Sequence, residues 1–308
     1  MMAPDAVKGI IIPMVTPFEQ NEEIDVFGLR RLIRHIVKAG IHGVLCLGTT
    51  GEFARMDDEQ IRVVVETTVE EINGRVPVYQ GISDCGTRKM LRKIKNAERF
   101  GVDALLVTLP FYFPVSSTAE QLVFFERILD STDVPVVLYN MPQTMGAGIA
   151  VAAVEKLSHR PNVVGIKDSS GRLDYLKELL ALAAGGDFRV LIGEESISAE
   201  GLMMGASGIV PSLGNVFPLL FVDLYEACRR RDAAAARSLQ SRIDRINRVS
   251  TGCESWLGPI SCRKRMLEIL GICSARLSQP ALELPPAVER EIAAVLTEEQ
   301  ALVQEDRP

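Results

Sequence analysis

The sequence predicts an α/β protein, built as a barrel of eight parallel strands with a helical extension at its carboxyl end. Short apolar runs alternate with longer amphipathic segments from the N-terminal region to about residue 230. Runs such as 104–107 are apolar throughout, as expected of strands that are buried on both faces. The predicted strands begin near Gly9, Gly43, Val76, Ala104, Val134, Val163, Phe188 and Gly208. Eight strand–helix units of this kind favour a closed (β/α)8 barrel, the TIM barrel.

A doubly wound open sheet is the structural alternative. Such a sheet has about five or six strands, and its dinucleotide-binding form carries a Gly-x-Gly-x-x-Gly motif after the first strand. No such motif follows the first predicted strand of this chain. The closed barrel is therefore preferred.

Helix-start signals support the alternation of strands and helices at three places. Asp25 precedes the first helical pattern, where an aspartate is a favourable N-cap. Asp57 has Gln60 three residues later, which is a capping-box pattern, and Thr118 with Gln121 repeats it. We therefore expect helices to begin after Asp25, Asp57 and Thr118.

After residue 217 the pattern becomes purely helical. Helices are predicted over 219–230, 233–249, 259–270 and 286–303, and the first of them completes the eighth unit. No low-complexity linker separates the others from the barrel. We therefore predict a barrel over 1–230 and a C-terminal helical extension over 231–308, packed on the barrel or across an oligomer contact.

Composition and charge restrict the class of protein. The chain has 308 residues, of which 47% are hydrophobic and 24% charged, and a formal net charge of −6. Acidic and basic residues are interleaved, so a nucleic-acid partner is not expected. The first nine residues lack a secretory pattern, and the six cysteines form no Cys-x2-Cys pair. We expect a cytoplasmic protein with reduced thiols and no membrane partner.

The first candidate for chemistry is Lys167, which ends the apolar run 163–166 and is followed by turn-forming residues. In a parallel barrel the active site lies at the carboxyl ends of the strands, where this lysine falls. An apolar setting disfavours an ammonium, and the neutral amine can attack a carbonyl. The alternative is a surface lysine whose stem lies on an apolar wall and whose amine is in water.

Strand periodicity predicts that Lys167 and Tyr139 both point into the barrel. Side chains alternate along a strand, so Lys167 shares a face with Val163, whereas Ile166 and Val164 should face the helices. Tyr139 ends the preceding apolar run. It can therefore approach Lys167 from the neighbouring strand.

The segment Gly-Thr-Thr-Gly-Glu at 48–52 follows the second predicted strand and adds hydroxyls and amides at the same mouth. Alone, it can be no more than a tight turn. Together with Lys167 and Tyr139 it fits Schiff-base chemistry on a 2-keto acid. The lysine attacks the ketone, the amides and hydroxyls hold the carboxylate, and the phenol moves protons. An unperturbed tyrosine has a pKa of about 10, so the phenol needs a hydroxyl relay or a nearby cation to act as a base near neutral pH. This chemistry requires no cofactor or metal.

Three motifs now identify a resemblance: Gly-Thr-Thr-Gly-Glu at 48–52, Tyr-Asn-Met-Pro at 139–142 and Gly-Ile-Lys-Asp at 165–168. In this order and spacing they resemble the dihydrodipicolinate synthase / N-acetylneuraminate lyase family over nearly the whole chain. The resemblance implies a (β/α)8 barrel, a homotetramer of tight dimers and a class I aldolase mechanism through a pyruvate Schiff base. It implies that Lys167 forms the Schiff base and that Tyr139 is the general acid/base. It also implies that Thr49 and Thr50 bind the pyruvate carboxylate, with Thr50 in the proton relay.

The resemblance extends to three further residues. Tyr112, which ends Leu-Pro-Phe-Tyr at 109–112, matches a tyrosine that crosses into the neighbouring subunit's site. It is therefore a relay candidate supplied in trans. Gly193 and Val210 match positions that line the pyruvate pocket, although a turn glycine and a core valine are equally compatible with the sequence.

The chain departs from the family's synthases at Thr144. Those enzymes carry an arginine two residues after the proline of Tyr-Asn-x-Pro, and it grips the carboxylate of aspartate semialdehyde. A charge-assisted hydrogen bond contributes about 1.5–3 kcal/mol, so its loss disfavours that substrate without excluding it. A neutral residue here resembles the lyases that act on 2-keto-3-deoxy sugar acids, 4-hydroxy-2-oxoglutarate or sialic acid.

Glu195 and Ser196 match the positions at which sialic acid lyases hold substrate hydroxyls. The alternative is a solvated acidic turn at a helix N-terminus. The main hypothesis is therefore reversible aldol cleavage of a 2-keto-3-deoxy acid to pyruvate and an aldehyde. The alternative within the family is 4-hydroxy-tetrahydrodipicolinate synthase, and a dehydratase on the same Schiff base is also open.

Three other classes of protein are alternatives. A phosphate-binding barrel enzyme would use the loop 205–208, but that loop precedes the eighth predicted strand and so belongs to the opposite face of the barrel. A metal-dependent lyase needs clustered ligands at strand ends, and none of the three histidines falls at such an end. A non-catalytic sensor on the same scaffold, which would bind pyruvate without turnover, is a further alternative. The sequence retains the residues of the site, so it gives no positive sign of such a sensor.

Overall fold

The computed structural model describes residues 7–305 and confirms the closed parallel barrel. Each strand pairs in parallel with the next, and the eighth pairs with the first. The strands are β1 (Gly9–Pro13), β2 (Gly43–Cys46), β3 (Val78–Gly81), β4 (Ala104–Thr108), β5 (Val136–Asn140), β6 (Val163–Asp168), β7 (Arg189–Ile192) and β8 (Gly208–Ile209). All eight lie where the sequence predicts them. Residues 1–6 and 306–308, at the ends of the two predicted segments, lie outside the described residues, as does most of the stretch predicted to lack a secretory pattern.

The barrel interior is filled by side chains from successive strands. Leu45, Tyr79, Leu106, Val137 and Leu191 are buried together there. A second apolar layer, larger than the first, lies between the strands and the surrounding helices. Because the interior is packed, the space for a ligand is left at the mouth of the barrel.

β6 contains a bulge that changes which of its side chains face inward. Val163 and Gly165 pair with consecutive residues of β5, so Val164 is an extra residue in the strand. Val164 packs in the barrel interior and Val163 in the outer layer, so the faces predicted for these two residues were wrong. An inserted residue interrupts the alternation of the pleat. Lys167 and Ile166 lie beyond the bulge and keep their predicted faces.

The helices that alternate with the strands surround the barrel. They are α1 (Val26–Lys38), α2 (Asp58–Ile72), α3 (Thr87–Phe100), α4 (Thr118–Leu129), the short α5 (Pro142–Met145), α6 (Val151–Ser158), α7 (Leu173–Ala183), α8 (Ser198–Met204) and α9 (Pro218–Arg229). None of the described helices is both long enough and apolar enough to span a lipid bilayer.

Two of the three predicted helix starts are confirmed. The Asp25 carboxylate accepts a hydrogen bond from the Gly28 amide at 2.7 Å and caps α1. Asp57 and Gln60 form the reciprocal capping box of α2, with N···O distances of 2.8 and 3.0 Å. These signals are local, so they could be recognised without knowledge of the fold.

The third predicted start, at Thr118, is wrong by one residue. The N-cap of α4 is Ser117, whose hydroxyl accepts from the Glu120 amide at 3.2 Å, and Thr118 is already helical. Gln121 does not close a capping box, because its buried side chain donates instead to the carbonyl of Gly148 at 2.9 Å. A tertiary contact therefore displaced the local pattern.

The remaining helices form the extension. They are α10 (Ala233–Asn247), α11 (Gly258–Ile269) and α12 (Pro286–Glu305), and a short 3-10 turn, Arg248–Gly252, follows α10. Arg55, in the loop after β2, donates to the carbonyl of Ser278 at 2.8 Å. The extension therefore lies against the loops at the carboxyl ends of the strands.

Candidate active site

A cavity of about 710 Å³ lies at the mouth of the barrel, between the strand ends and the extension. Its wall is contributed by the loops that follow β2, β5, β6, β7 and β8 and by α10, α11 and the turn between them. Eight of the predicted site residues line it: Thr49, Thr50, Tyr139, Lys167, Gly193, Glu195, Ser196 and Val210. The fold thus brings most of the predicted site together.

Lys167 and Tyr139 face each other at the ends of β6 and β5. They are register partners in the sheet, and only 4% and 3% of their surfaces are exposed. Lys167 Nζ lies 4.1 Å from the centroid of the Tyr139 ring. Among the described residues no carboxylate forms an ion pair with this lysine. The amine is therefore buried beside a phenol and open to the cavity, which excludes the surface-lysine interpretation.

The environment of Tyr139 favours its ionised form. Burial raises the pKa of the phenol, but the charge of Lys167 and hydrogen bonds with Thr49 and Ser169 lower it, and the net pKa lies below its ordinary value. Thr49 Oγ1 is 3.3 Å from the Tyr139 hydroxyl. Tyr139 therefore has the two partners that its role requires, a nearby cation and a hydroxyl.

The hydroxyl that contacts the phenol comes from Thr49, whereas the resemblance assigned the relay to its neighbour Thr50. Thr49 begins a 3-10 turn directly after β2, where the first amides have no partner inside the helix. Thr50 also lines the cavity, and no hydrogen bond joins it to Tyr139. In this turn the Thr49 hydroxyl contacts the phenol, whereas the Thr50 hydroxyl is free to bind a ligand.

A buried ion pair holds this turn in place. Glu52, in the left-handed conformation with φ of 59°, accepts from Lys264 of α11 at 2.5 Å and from the Ser278 amide at 2.9 Å. Both charged side chains are fully buried, and they lie 212 residues apart in the chain. The sequence motif marked Glu52 without revealing this partner, because nothing local signals so distant a contact.

A polar pair behind the site ties β5 to β6. Asn140 Nδ2 donates to Asp168 at 2.8 Å, and Asn140 Oδ1 accepts from the Ile149 amide at 2.9 Å. Burial raises the pKa of Asp168, while the hydrogen bond from Asn140 opposes that rise. These residues directly follow Tyr139 and Lys167, so the pair fixes the two strand ends that carry them.

Gly193 provides room for the lysine. A Cβ at this position would lie 2.7 Å from Lys167 Cε and 2.0 Å from Ser169 Oγ. Ser169 itself lines the cavity and hydrogen-bonds the phenol, a role that sequence reasoning missed. Its position two residues after Lys167, on the same side of the chain, was the available signal. Val210 is buried in the cavity wall.

Glu195 and Ser196 lie in the cavity wall, but their polar atoms are already occupied. The buried Glu195 carboxylate accepts from the Leu213 amide and from Asn247 Nδ2, both at 2.7 Å. The Ser196 hydroxyl donates to Glu194 at 2.8 Å. The predicted contacts with substrate hydroxyls would have to compete with these partners.

Thr144 and Tyr112 do not line the cavity of this chain. The Thr144 hydroxyl donates back to the Met141 carbonyl at 3.3 Å, because α5 turns it toward its own backbone, so the predicted contact with substrate would have to compete with this bond. Tyr112 is 82% exposed, with φ of 79°. Its predicted role requires a second subunit.

Within the described residues no group of three His, Cys, Asp or Glu side chains is arranged to hold a metal ion.

Comparison with known sequences gives matches over nearly the whole chain. The model of the dihydrodipicolinate synthetase family matches residues 6–299. A 4-hydroxy-tetrahydrodipicolinate synthase of Methanospirillum hungatei is 31% identical over 292 residues, which cover 94% of this chain and 98% of that protein. The match thus includes both the barrel and the extension.

Comparison with solved structures agrees. A dihydrodipicolinate synthase of Bacteroides thetaiotaomicron superposes with a TM-score of 0.91 and 32% identity, covering 97% of this chain and all of that one. YagE of Escherichia coli, solved in complex with pyruvate, has a TM-score of 0.89 and 28% identity over 96% of this chain and 99% of that one. Fold and sequence similarity therefore point to the same group of proteins.

Proposed function

The chain belongs to the dihydrodipicolinate synthetase family, and from that premise we propose that it joins pyruvate to aspartate semialdehyde through a Schiff base on Lys167. Members of this family are pyruvate-dependent class I aldolases, so the chain is a lyase acting on a carbon–carbon bond. The observation that carries the proposal is the buried pair of Lys167 and Tyr139, with Nζ 4.1 Å from the ring.

The proposed substrate is the one that the sequence analysis ranked second. Thr144 alone favoured cleavage of a 2-keto-3-deoxy acid over condensation with aspartate semialdehyde. The relatives that cover nearly the whole chain are named 4-hydroxy-tetrahydrodipicolinate synthases, which supports the condensation instead.

The first step is attack of the neutral Lys167 amine on the C2 carbonyl of pyruvate. The carbonyl electron pair moves to oxygen, and Tyr139 carries a proton from the nitrogen to that oxygen, giving a carbinolamine. A second proton lets the hydroxyl leave as water while the nitrogen lone pair forms the C=N bond. Thr49 and Ser169 hydrogen-bond the phenol and serve as the route by which its proton is replaced.

The second step makes the carbon–carbon bond. The iminium withdraws electrons from the C3 methyl group, so loss of a proton there gives an enamine. The enamine carbon attacks the aldehyde carbon, and the aldehyde oxygen takes a proton. The amine of the semialdehyde then displaces Lys167 from the iminium, which closes the ring and frees the lysine.

Thr49 and Thr50 are proposed to hold the pyruvate carboxylate throughout. Their amides begin the turn after β2, and charge-assisted hydrogen bonds from amides and hydroxyls suit a carboxylate. The Glu52–Lys264 pair anchors the turn from behind. Val210 and Gly193 would form the apolar floor against the methyl group.

A second candidate is cleavage of a 2-keto-3-deoxy acid by the same Schiff base. Thr144 in place of an arginine favours it, and Ser196 at the cavity wall is available for a substrate hydroxyl if its bond to Glu194 breaks. A non-catalytic pyruvate sensor is disfavoured by the intact pairing of Lys167 with Tyr139.

We also propose a homotetramer of tight dimers in which Tyr112 completes the partner's relay. Its ring is largely exposed, and a positive φ is unusual for a residue other than glycine, so the loop holds it in a specific orientation. The barrel over 1–230 and the extension over 231–308 are proposed as one folded unit, supported by the Glu52–Lys264 contact between them.

Borohydride reduction in the presence of pyruvate, followed by intact mass measurement, tests the proposal. We expect a stable adduct of one reduced pyruvyl group per chain, absent in Lys167→Ala. Lys177→Ala, at an exposed lysine of α7, is the matched control and should retain the adduct. Absence of the adduct, or its survival in Lys167→Ala, would refute the Schiff base.

Turnover assays then separate the two substrates. Aspartate semialdehyde with pyruvate and 2-keto-3-deoxygluconate are offered to the same preparation. Higher kcat/KM for the condensation supports the proposal, whereas efficient cleavage of the sugar acid with no condensation would favour the second candidate.

A further inference from the structure

Three cationic side chains line the cavity, Lys167, Arg248 and Arg263, and of these only Arg248 is exposed. Lys167 is the proposed nucleophile. Arg263 is buried and donates to Asn247 Oδ1 at 2.5 Å, to the Pro259 carbonyl at 3.0 Å and to Glu195 at 3.4 Å. Two of its three nitrogens therefore hold the wall together, and only Nε has no partner among the described residues.

Arg248 differs because its guanidinium forms no hydrogen bond or ion pair with any described residue. Its backbone is nevertheless well held. It follows the last residue of α10, its amide donates to the carbonyls of Asp244 and Ile246, and its carbonyl accepts from the Thr251 hydroxyl at 2.7 Å. The side chain is thus an unpaired cation on a defined backbone at the edge of the site.

The acidic residues of the same cavity do not neutralise it. Glu195 is occupied by the contacts described above. Glu194 accepts from the amide and the hydroxyl of Ser196 at 3.2 and 2.8 Å. Asp244 lies one helical turn before Arg248, and its carboxylate accepts from Gln240 at 2.8 Å. None of these acids forms an ion pair with Arg248, although Glu194 and Asp244 have only neutral partners and keep their charge.

The cavity is also much larger than a three-carbon acid. At about 710 Å³ it is within the range of pockets that hold drug-sized ligands, so a second substrate fits beside pyruvate. The part beyond Lys167 is lined by the extension, where Arg248 and Trp256 lie. A ligand condensed with pyruvate would extend toward this rim.

We propose that Arg248 binds a carboxylate at the far end of the second substrate, so that the enzyme selects aldehydes carrying a distal carboxylate over uncharged ones. This inference rests on the proposed Schiff-base function at Lys167 and specifies its aldehyde. Arg248 would supply, from the extension, the cationic contact that Thr144 does not. A guanidinium forms two parallel hydrogen bonds with a carboxylate, which suits this selection better than a single ammonium.

The test compares two aldehydes of equal length, succinate semialdehyde and butanal, with pyruvate as the donor. We expect wild-type kcat/KM to favour the carboxylated aldehyde. Arg248→Met should lower kcat/KM for succinate semialdehyde about ten- to a hundredfold and leave butanal unchanged, because only the charged contact is lost. For Arg248→Lys, kcat/KM with succinate semialdehyde should lie between the values for the wild type and for Arg248→Met.

Arg237→Met is the matched control, since Arg237 is exposed on α10, the helix that Arg248 follows, and does not line the cavity. It should leave both aldehydes unaffected. Equal losses for both aldehydes in Arg248→Met, or unchanged discrimination, would overturn the inference. The pyruvate adduct separates the two levels of failure: an adduct with unchanged discrimination refutes only the role of Arg248, whereas no adduct in the wild type refutes the proposed function and the inference with it.

A binding measurement removes the dependence on turnover. Trp256 is the only tryptophan of the chain, lines the same cavity and is 57% exposed, so its fluorescence reports ligand binding there. Butanoate, an unreactive carboxylate, is titrated into the pyruvate-loaded enzyme. A Kd that rises at least tenfold in Arg248→Met supports the inference, and an unchanged Kd refutes it.

Discussion

Two lysines are buried in the described part of the chain, and their surroundings are opposite. Lys167 lies at the mouth of the barrel and Lys264 in α11, with 4% and 0% of their surfaces exposed. Each ammonium lies near an aromatic ring, 4.1 Å from the centroid of Tyr139 and 4.5 Å from that of Phe18. Lys264 has a carboxylate partner in Glu52, whereas Lys167 has none among the described residues.

This difference distinguishes a structural lysine, Lys264, from a reactive one, Lys167. The pKa of Lys264 is lowered by burial, but Glu52 opposes that change and the Arg276 carbonyl accepts a further hydrogen bond at 2.6 Å. Its nitrogen is therefore held by two acceptors and does not face the cavity. Lys167 has only a phenol and a cavity beside it, so its amine can react with a carbonyl. Burial by itself does not mark a catalytic lysine; burial without an anionic partner, beside open space, does.

The largest expected effect is the loss of activity on removing Lys167. Lys167→Ala should lower kcat by at least about a thousandfold, as removal of a covalent nucleophile does. Because no buried charge is left unpaired and the Tyr139 hydroxyl keeps its contact with Thr49, the urea-unfolding free energy should stay near the wild-type value. Steady-state assays and urea titration measure the two quantities, and a destabilisation as large as that of a Lys264 variant would contradict the distinction between the lysines.

Removing Lys264 should have the reverse effect. Lys264→Met leaves Glu52 buried and unpaired, which costs about 3–5 kcal/mol in the free energy of unfolding. The double variant Glu52→Gln, Lys264→Met should recover much of that loss, since neither charge remains. Urea titration of the single and double variants tests this, and an additive loss in the double variant would show that the pair contributes nothing specific.

Tyr139→Phe sharpens the comparison by altering the neighbour of Lys167 alone. Loss of proton transfer should lower kcat about 10²- to 10⁴-fold, while the borohydride adduct still forms slowly. Tyr175→Phe is the control, because that buried hydroxyl donates to the Ile149 carbonyl and serves the fold. A comparable fall in kcat for Tyr175→Phe would argue that any buried tyrosine change disturbs the site.

The smallest expected effect concerns pH. The hydrogen bond from Thr49 helps keep the pKa of Tyr139 below its ordinary value, so Thr49→Val should raise that pKa. The limb of the kcat/KM profile that Tyr139 controls then moves to higher pH, with about a tenfold loss of kcat. Thr50→Val should raise KM for pyruvate without moving the limb. A shift to lower pH, or an equal shift in both variants, would refute the assignment of the contact to Thr49.

Much of this architecture follows from short-range patterns. The eight apolar runs, the caps at Asp25 and Asp57, and the lysine at the end of a buried run are all readable within a few residues of each feature. The pairing of Tyr139 with Lys167 was also predictable, because adjacent parallel strands end at the same edge and side chains alternate. The family motifs then supplied the chemistry for these positions.

Other features depend on contacts between distant segments. The bulge at Val164 reverses two side chains of β6, and Gln121 leaves its capping position for the Gly148 carbonyl. Glu52 meets Lys264 across 212 residues, and Arg248 enters the site from the extension. Periodicity depends on the side-chain repeat of one element and capping on hydrogen bonds at its first turn, so the chain encodes both locally. Strand register, ion pairing and the free or occupied state of a charge depend on how elements pack, and those were settled only when the barrel closed and the extension folded over its mouth.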